Sequence, residues 1–77
     1  MATVKITLEY KNPIRIADGT KDTLIQSEDG IKFCVAESET KPTDLSARVL
    51  VSELSVPEGK KIWAWPNGKV STDVNVL

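Results

Sequence analysis

The 77-residue sequence contains no histidine and only one cysteine, Cys34, and these two shortages remove most catalytic and metal chemistry. A lone cysteine cannot form an internal disulfide, and without histidine or a second thiolate the chain has no ligand set for a zinc cluster. Because no histidine can accept its proton, we interpret Cys34 as a small hydrophobic group rather than a nucleophile. We expect no metal and no cofactor.

The sequence is also short, and its 77 residues make one β domain, 1–77, with a small core. Such a chain buries only about 60–65% of the surface that its unfolded form exposes, so its margin of stability is thin. With neither a disulfide nor a metal to add to that margin, association of copies is the remaining common source of stability. We therefore expect a homo-oligomer.

Charge of one sign and long hydrophobic runs are also missing. Ten basic and eleven acidic residues give a net charge of -1, and the lysines and arginines are scattered instead of forming the basic face of a nucleic-acid binder. The N-terminal stretch "MATVKITLEY" alternates polar and apolar residues, unlike a signal peptide, and no run approaches the ~20 apolar residues of a membrane span. We expect synthesis in the cytoplasm and binding to neither nucleic acid nor membrane.

Carboxylates are the only other acid–base candidates, and we expect them to serve turns and solubility rather than catalysis. A domain this small offers little cleft in which two carboxylates could hold a substrate. We therefore predict that the protein is not an enzyme. The acidic residues in or beside the turns and the long loop are Glu28, Asp29, Glu37, Glu39, Asp44 and Glu58.

The four glycines end four similar segments, "IADG", "SEDG", "VPEG" and "WPNG". This pattern is typical of a three-residue hairpin loop, in which a type I turn is followed by a residue at positive φ. Pro57 and Pro66 would occupy the first central position of such a turn. The alternative for the last glycine, a two-residue turn on Asn67-Gly68, would place Pro66 where the strand ladder needs a backbone N–H, so we prefer the three-residue loop. The template predicts positive φ at Gly19, Gly30, Gly59 and Gly68.

Between these turns the hydrophobic period is two, which predicts half-buried strands. "KIWAW" carries large apolar groups on both faces, as does a strand covered on both sides. The longest connection, 37–47, is expected to cross between sheets or between edges. We predict an all-β fold, a small antiparallel β-sandwich or barrel of about six to seven short strands. The predicted strands lie near 2–10, 13–17, 21–27, 31–37, 46–55, 60–65 and 69–76.

Trp63 and Trp65 are two apart on a strand, so their side chains share one face, with Ile62 and Ala64 on the other. A domain with 5% aromatic residues can rarely leave half of them in water, so we predict that the tryptophans, with Tyr10, are packing or interface anchors. The alternative is an open platform on which a sugar or base stacks.

The order "LIQSEDGIKFCVAE", a charged segment with Pro42, "VPEGKKIWAW" and the alternating "KVSTDVNVL" resembles small structural proteins of tailed bacteriophages over most of residues 24–77. The resemblance implies a virion protein, either a capsid (head) decoration or a tail or fibre accessory, assembled in the host cytoplasm. It would act without catalysis by binding copies of itself, with a trimer favoured, and other virion proteins. The alternatives are a carbohydrate-binding module that uses Trp63 and Trp65, and a small phage-encoded regulator of a host protein.

Overall fold

The computed structural model describes residues 4–46, 48–69 and 71–77, and across them the chain forms eight β-strands and no helix. The strands pair into two four-stranded antiparallel sheets, sheet I in the order β1-β8-β3-β6 and sheet II in the order β2-β7-β4-β5. The predicted all-β, sandwich-like fold is confirmed. The strands are β1 (Val4–Leu8), β2 (Ile14–Asp18), β3 (Thr23–Ser27), β4 (Phe33–Glu37), β5 (Val49–Val51), β6 (Glu53–Val56), β7 (Lys61–Pro66) and β8 (Thr72–Val76).

The core is built from the inward-facing residues of both sheets. In β4, for example, Phe33 and Val35 belong to the core cluster, while Cys34 between them is buried on the opposite face. Full burial of one such apolar side chain contributes roughly 1.5–3 kcal/mol relative to leaving it in water. The buried cluster consists of Leu8, Ile16, Ala17, Ile25, Phe33, Val35, Val56, Ile62, Ala64 and Val74.

Strand β7 is the inner strand of sheet II that contacts both β2 and β4. Ile62 and Ala64 join the core, and Trp65 is buried on the other face of the sheet. The prediction that "KIWAW" forms a strand covered on both sides is therefore confirmed.

The glycine turns do not form hairpins, and that part of the sequence prediction is wrong. Of the seven connections between the described strands, six lead from one sheet to the other, including all four that carry a glycine. The backbone preferences of a turn are the same whether the next strand pairs with the previous one or joins the other sheet. The turn template therefore predicts where strands end but not which strands pair.

The one connection that stays within a sheet is the long loop between β4 and β5, residues 38–48, because those two strands pair with each other in sheet II. The expectation that this segment crosses between sheets or edges is therefore wrong.

The single strand predicted over 46–55 is also wrong, because the chain passes from β5 in sheet II to β6 in sheet I at Ser52. The Ser52 carbonyl accepts a hydrogen bond from the Ser27 N–H at 2.8 Å, which ties this corner to β3.

Two of the crossing connections meet at one end of the sandwich. The Gly59 N–H donates to the Gly19 carbonyl at 2.9 Å, and a Cβ added to Gly19 would lie 3.4 Å from the Gly59 carbonyl carbon. Gly19, Gly30 and Gly59 have φ values of 84°, 80° and 97°, as the turn template predicts. Glycine is favoured there because a side chain strains a left-handed backbone.

Gly68 departs from the template, since its φ is not in the left-handed region, and the prediction for it is wrong. Pro66 is not the first central residue of a turn either. It is the last residue of β7, opposite Phe33 of β4, so the connection begins one residue later than the template assumes. Gly68 consequently lies inside a longer link to β8.

Replacing Gly19 by alanine should lower the free energy of unfolding by about 1–2 kcal/mol, because the new Cβ strains the backbone and approaches the Gly59 carbonyl. Gly68→Ala is the matched control: its Cβ would meet nothing within 4 Å, so we expect a change within about 0.5 kcal/mol. Urea denaturation of the two variants measures the difference. Equal losses in both would contradict this assignment of the two turns.

Candidate functional site

Both tryptophans lie on the outer face of sheet II, away from the core between the sheets. Trp63 is opposite Arg15 of β2 and Ala36 of β4, and Trp65 is opposite Cys34 of β4. The period-two pattern of β7 places them there, because Ile62 and Ala64 occupy the inward positions. The tryptophans therefore pack outside the main core.

The long loop 38–48 covers this outer face. The Trp63 indole N–H donates to the Ser38 carbonyl at 3.0 Å, which satisfies the polar atom of a half-buried side chain. Trp65 is only 3% exposed, and Leu45 and Arg48 of the loop line a groove with it. The loop therefore supplies the hydrogen-bond acceptor for the Trp63 indole and lines the groove beside Trp65.

Polar contacts at the protein surface also hold the loop. The Glu39 carboxylate is 2.8 Å from the Lys61 ammonium, whose hydrogen bond and charge lower the pKa of Glu39. The Lys41 ammonium donates to the Asn12 side-chain oxygen at 3.0 Å. These groups are exposed to water, where such pairs contribute little to stability.

Tyr10 lies in the turn between β1 and β2, where the Asn12 N–H donates to the Glu9 carbonyl at 3.1 Å. The adjacent Lys11 has a φ of 54°, and its ammonium lies 5.4 Å from the centroid of the Tyr10 ring. Tyr10 is 44% exposed and lines the same groove as Trp65. The structure thus brings all three predicted aromatic anchors to one side of sheet II, but with very different exposure.

A stacking platform needs two indole faces open to water, and sheet II does not present them. Trp65 is almost fully buried, and Trp63 is half-buried with its N–H bonded to the loop. The groove beside Trp65 has a volume of about 170 Å³, below the ~300 Å³ typical of small-molecule pockets. The arrangement is that of a packed outer layer.

Cys34 is buried beneath the same layer, with 1% of its surface exposed. Burial raises the pKa of its thiol, and the nearby Arg48 guanidinium opposes that shift less strongly. Its sulfur lies 3.8 Å from the side-chain oxygen of Asn67. A neutral thiol in this position behaves as a small hydrophobic side chain.

The carboxylates face water and make local contacts. Glu28 pairs with Lys5 at 3.0 Å, Glu37 pairs with Lys60 at 3.6 Å, and Asp44 accepts hydrogen bonds from the backbone and hydroxyl of Ser46. Within the described ranges of the chain, no three potential metal-binding side chains come together. The contacts of these carboxylates are the ones typical of surface ion pairs and of turns.

The free edge of β5 is the feature that sequence reasoning missed. Val49 and Leu50 are 62% and 42% exposed, and β5 pairs on one side only, with β4. The sequence signal is "VLV", three consecutive apolar residues without polar alternation, but the prediction of one long strand over 46–55 places it inside a sheet. An apolar edge strand with unpaired backbone groups readily pairs with another chain.

The other three sheet edges carry features that discourage such pairing. In β2 the register shifts between Arg15 and Ala17, which interrupts the ladder. In β1 Lys5 places a charge on the edge strand, and in β6 Glu53 does the same before the chain turns at Pro57. The three residues of β5 include no charge, no proline and no register shift.

The outer face of sheet I differs sharply from that of sheet II. Lys5 lies 3.6 Å from Asp73, and the Thr7 hydroxyl donates to the same carboxylate at 2.7 Å. The charge and hydrogen bonds on this face are satisfied among neighbouring strands, as is common on a solvent-facing sheet surface. Exposed large apolar side chains occur in both sheets, with Val49 and Leu50 in sheet II and Val4 at the edge of sheet I.

Trp65→Ala should lower the free energy of unfolding by about 3–5 kcal/mol, because transfer and cavity costs add, whereas the half-exposed Trp63 should cost less on the same change. In a Trp63→Phe variant, Trp65 is the remaining indole, and its emission should be blue-shifted and resistant to iodide. The urea-unfolded protein supplies the hydrated reference. Native Trp65 emission equal to that reference would show that the loop does not cover it.

In the part of the chain that the structure describes, no helix has the length and apolar character to cross a bilayer. Comparison with protein-family models, curated proteins and solved structures found no match to this chain.

Proposed function

We propose that this protein is a non-enzymatic assembly protein whose working surface is a protein–protein interface at the free edge of β5. The observation that carries the proposal is the exposure of Val49 (62%) and Leu50 (42%) on a short edge strand that contains no charge, no proline and no register shift. Pairing with a further strand would satisfy its backbone groups and bury both side chains.

The contrast between the two sides of the molecule supports this choice. The outer face of sheet I carries paired charges around Lys5 and Asp73, whereas the free edge of sheet II carries the exposed Val49 and Leu50 of β5. Interfaces exclude charged groups from their centres and favour aromatic and aliphatic side chains. Contact through β5 would place Leu50 and the adjoining Leu45 and Arg48 of the loop toward the same partner.

The resemblance over most of residues 24–77 to structural proteins of tailed bacteriophages is our reason for choosing a virion as the setting. In that setting the protein is a head decoration or a tail or fibre accessory, synthesised in the host cytoplasm and incorporated by contacts with copies of itself or other virion proteins. Purified particles from the source of the gene, analysed by mass spectrometry, test this setting. Failure to find the chain in particles would remove the virion and leave the β5 interface to be tested separately.

Val49→Lys should abolish incorporation into the particle, because a lysine on the edge strand opposes pairing with another strand. Val4→Lys is the matched control, since Val4 is 55% exposed on β1, an edge strand of the other sheet. Particles grown with each tagged variant are purified and blotted for the tag, after thermal melts confirm that both variants fold. Equal incorporation of the two variants would show that β5 is not the contact surface.

A further inference from the structure

We propose that the strand that pairs with the free edge of β5 is β5 of a second copy, antiparallel and related by a two-fold axis at Leu50. This inference rests on the proposed function and names its partner. Two copies of sheet II would then become one eight-stranded sheet that continues across the contact. The result is an isologous dimer, in which each copy contributes the same surface.

The sequence of β5 is symmetric about its centre, Val49-Leu50-Val51. In a two-fold antiparallel pair centred on Leu50, Val49 of one copy lies opposite Val51 of the other, and the two Leu50 residues face each other. Val51 already packs against the core, so Val49 of the second copy would extend that apolar surface. Cross-strand pairs of this kind are the unit by which neighbouring strands stabilise each other.

The charges that flank β5 favour the antiparallel direction. Arg48 precedes the strand and Glu53 follows it, and the ion pairs found among the described residues involve neither of them. Antiparallel pairing places Arg48 opposite Ser52 of the second copy and next to its Glu53. Parallel pairing in register would set Arg48 against Arg48, which costs free energy.

The outer-face side chains allow this approach. Leu50 lies opposite Cys34, on the same side of sheet II as Trp65, and remains 42% exposed because β4 is its only strand neighbour. Strand addition on the free side would cover that exposed part. Because β5 contains three residues, the number of new backbone hydrogen bonds is small, so we expect the dimer to dissociate on dilution.

Disulfide trapping tests the geometry directly. Leu50→Cys in a Cys34→Ala background should form a covalent dimer under mild oxidation with copper phenanthroline, since the two residues 50 meet at the axis; Cys34 is removed because it lies opposite residue 50 in the same chain and could form an internal disulfide with it. Val4→Cys in the same Cys34→Ala background, also exposed on an edge strand, is the control. We expect at least tenfold more covalent dimer from Leu50→Cys. Comparable amounts from the two variants would overturn the two-fold contact.

Charge reversal provides a second, independent readout by light scattering. The native protein should have twice the mass of its 8.4 kDa chain at high concentration. Arg48→Glu should raise the dimer dissociation constant about fivefold, an effect within the range of exposed ion pairs, and adding Glu53→Arg should restore it. A trimer, or a double variant no tighter than Arg48→Glu alone, would contradict the two-fold pairing.

The two proposals fail in different ways. If Val49→Lys is lost from particles while Leu50→Cys gives no covalent dimer, β5 contacts another protein and the self-pairing is wrong. If Leu50→Cys forms the dimer while Val49→Lys is still incorporated, the self-pairing stands and the proposed assembly role of this edge is wrong.

Discussion

Burial of β7 on both of its faces is the interaction on which the rest of the structure depends. Ile62 and Ala64 close the core on one side, and Trp65 is buried on the other, beside a groove that the loop residues Leu45 and Arg48 help to line. A chain of 77 residues builds a small core, so a second apolar layer outside the sandwich adds burial that the space between the sheets cannot supply. The loop 38–48 is therefore part of the packing.

Period-two alternation and turn chemistry predicted the all-β fold, the approximate strand positions and the two-faced burial of "KIWAW". They could not predict pairing, because the preference of Gly19 or Gly59 for positive φ is satisfied whether the next strand lies beside the last or in the other sheet. The local sequence also does not predict the change of sheet at Ser52, since the residues around it have ordinary strand character. Connectivity here is decided by which faces can be buried together.

The candidate surface was predictable only in part. The spacing of Trp63 and Trp65 showed that they share a face, and composition argued for packing, but no local signal indicated that the loop would be their cover. The exposed edge of β5 was missed because Val49 and Leu50 look like core residues in sequence. Apolar character predicts burial, and only the strand order reveals which apolar residues are left at an edge.

The order of sheet I has a consequence for how the chain acquires its structure. Strand β1 pairs with β8, so contacts such as Thr7 with Asp73 join residues 66 positions apart. Closing so long a loop costs conformational entropy before the pairing can compensate for it, and topologies rich in distant contacts fold slowly. During synthesis, β1 leaves the ribosome well before its partner, and sheet I cannot be completed until β8 has also emerged.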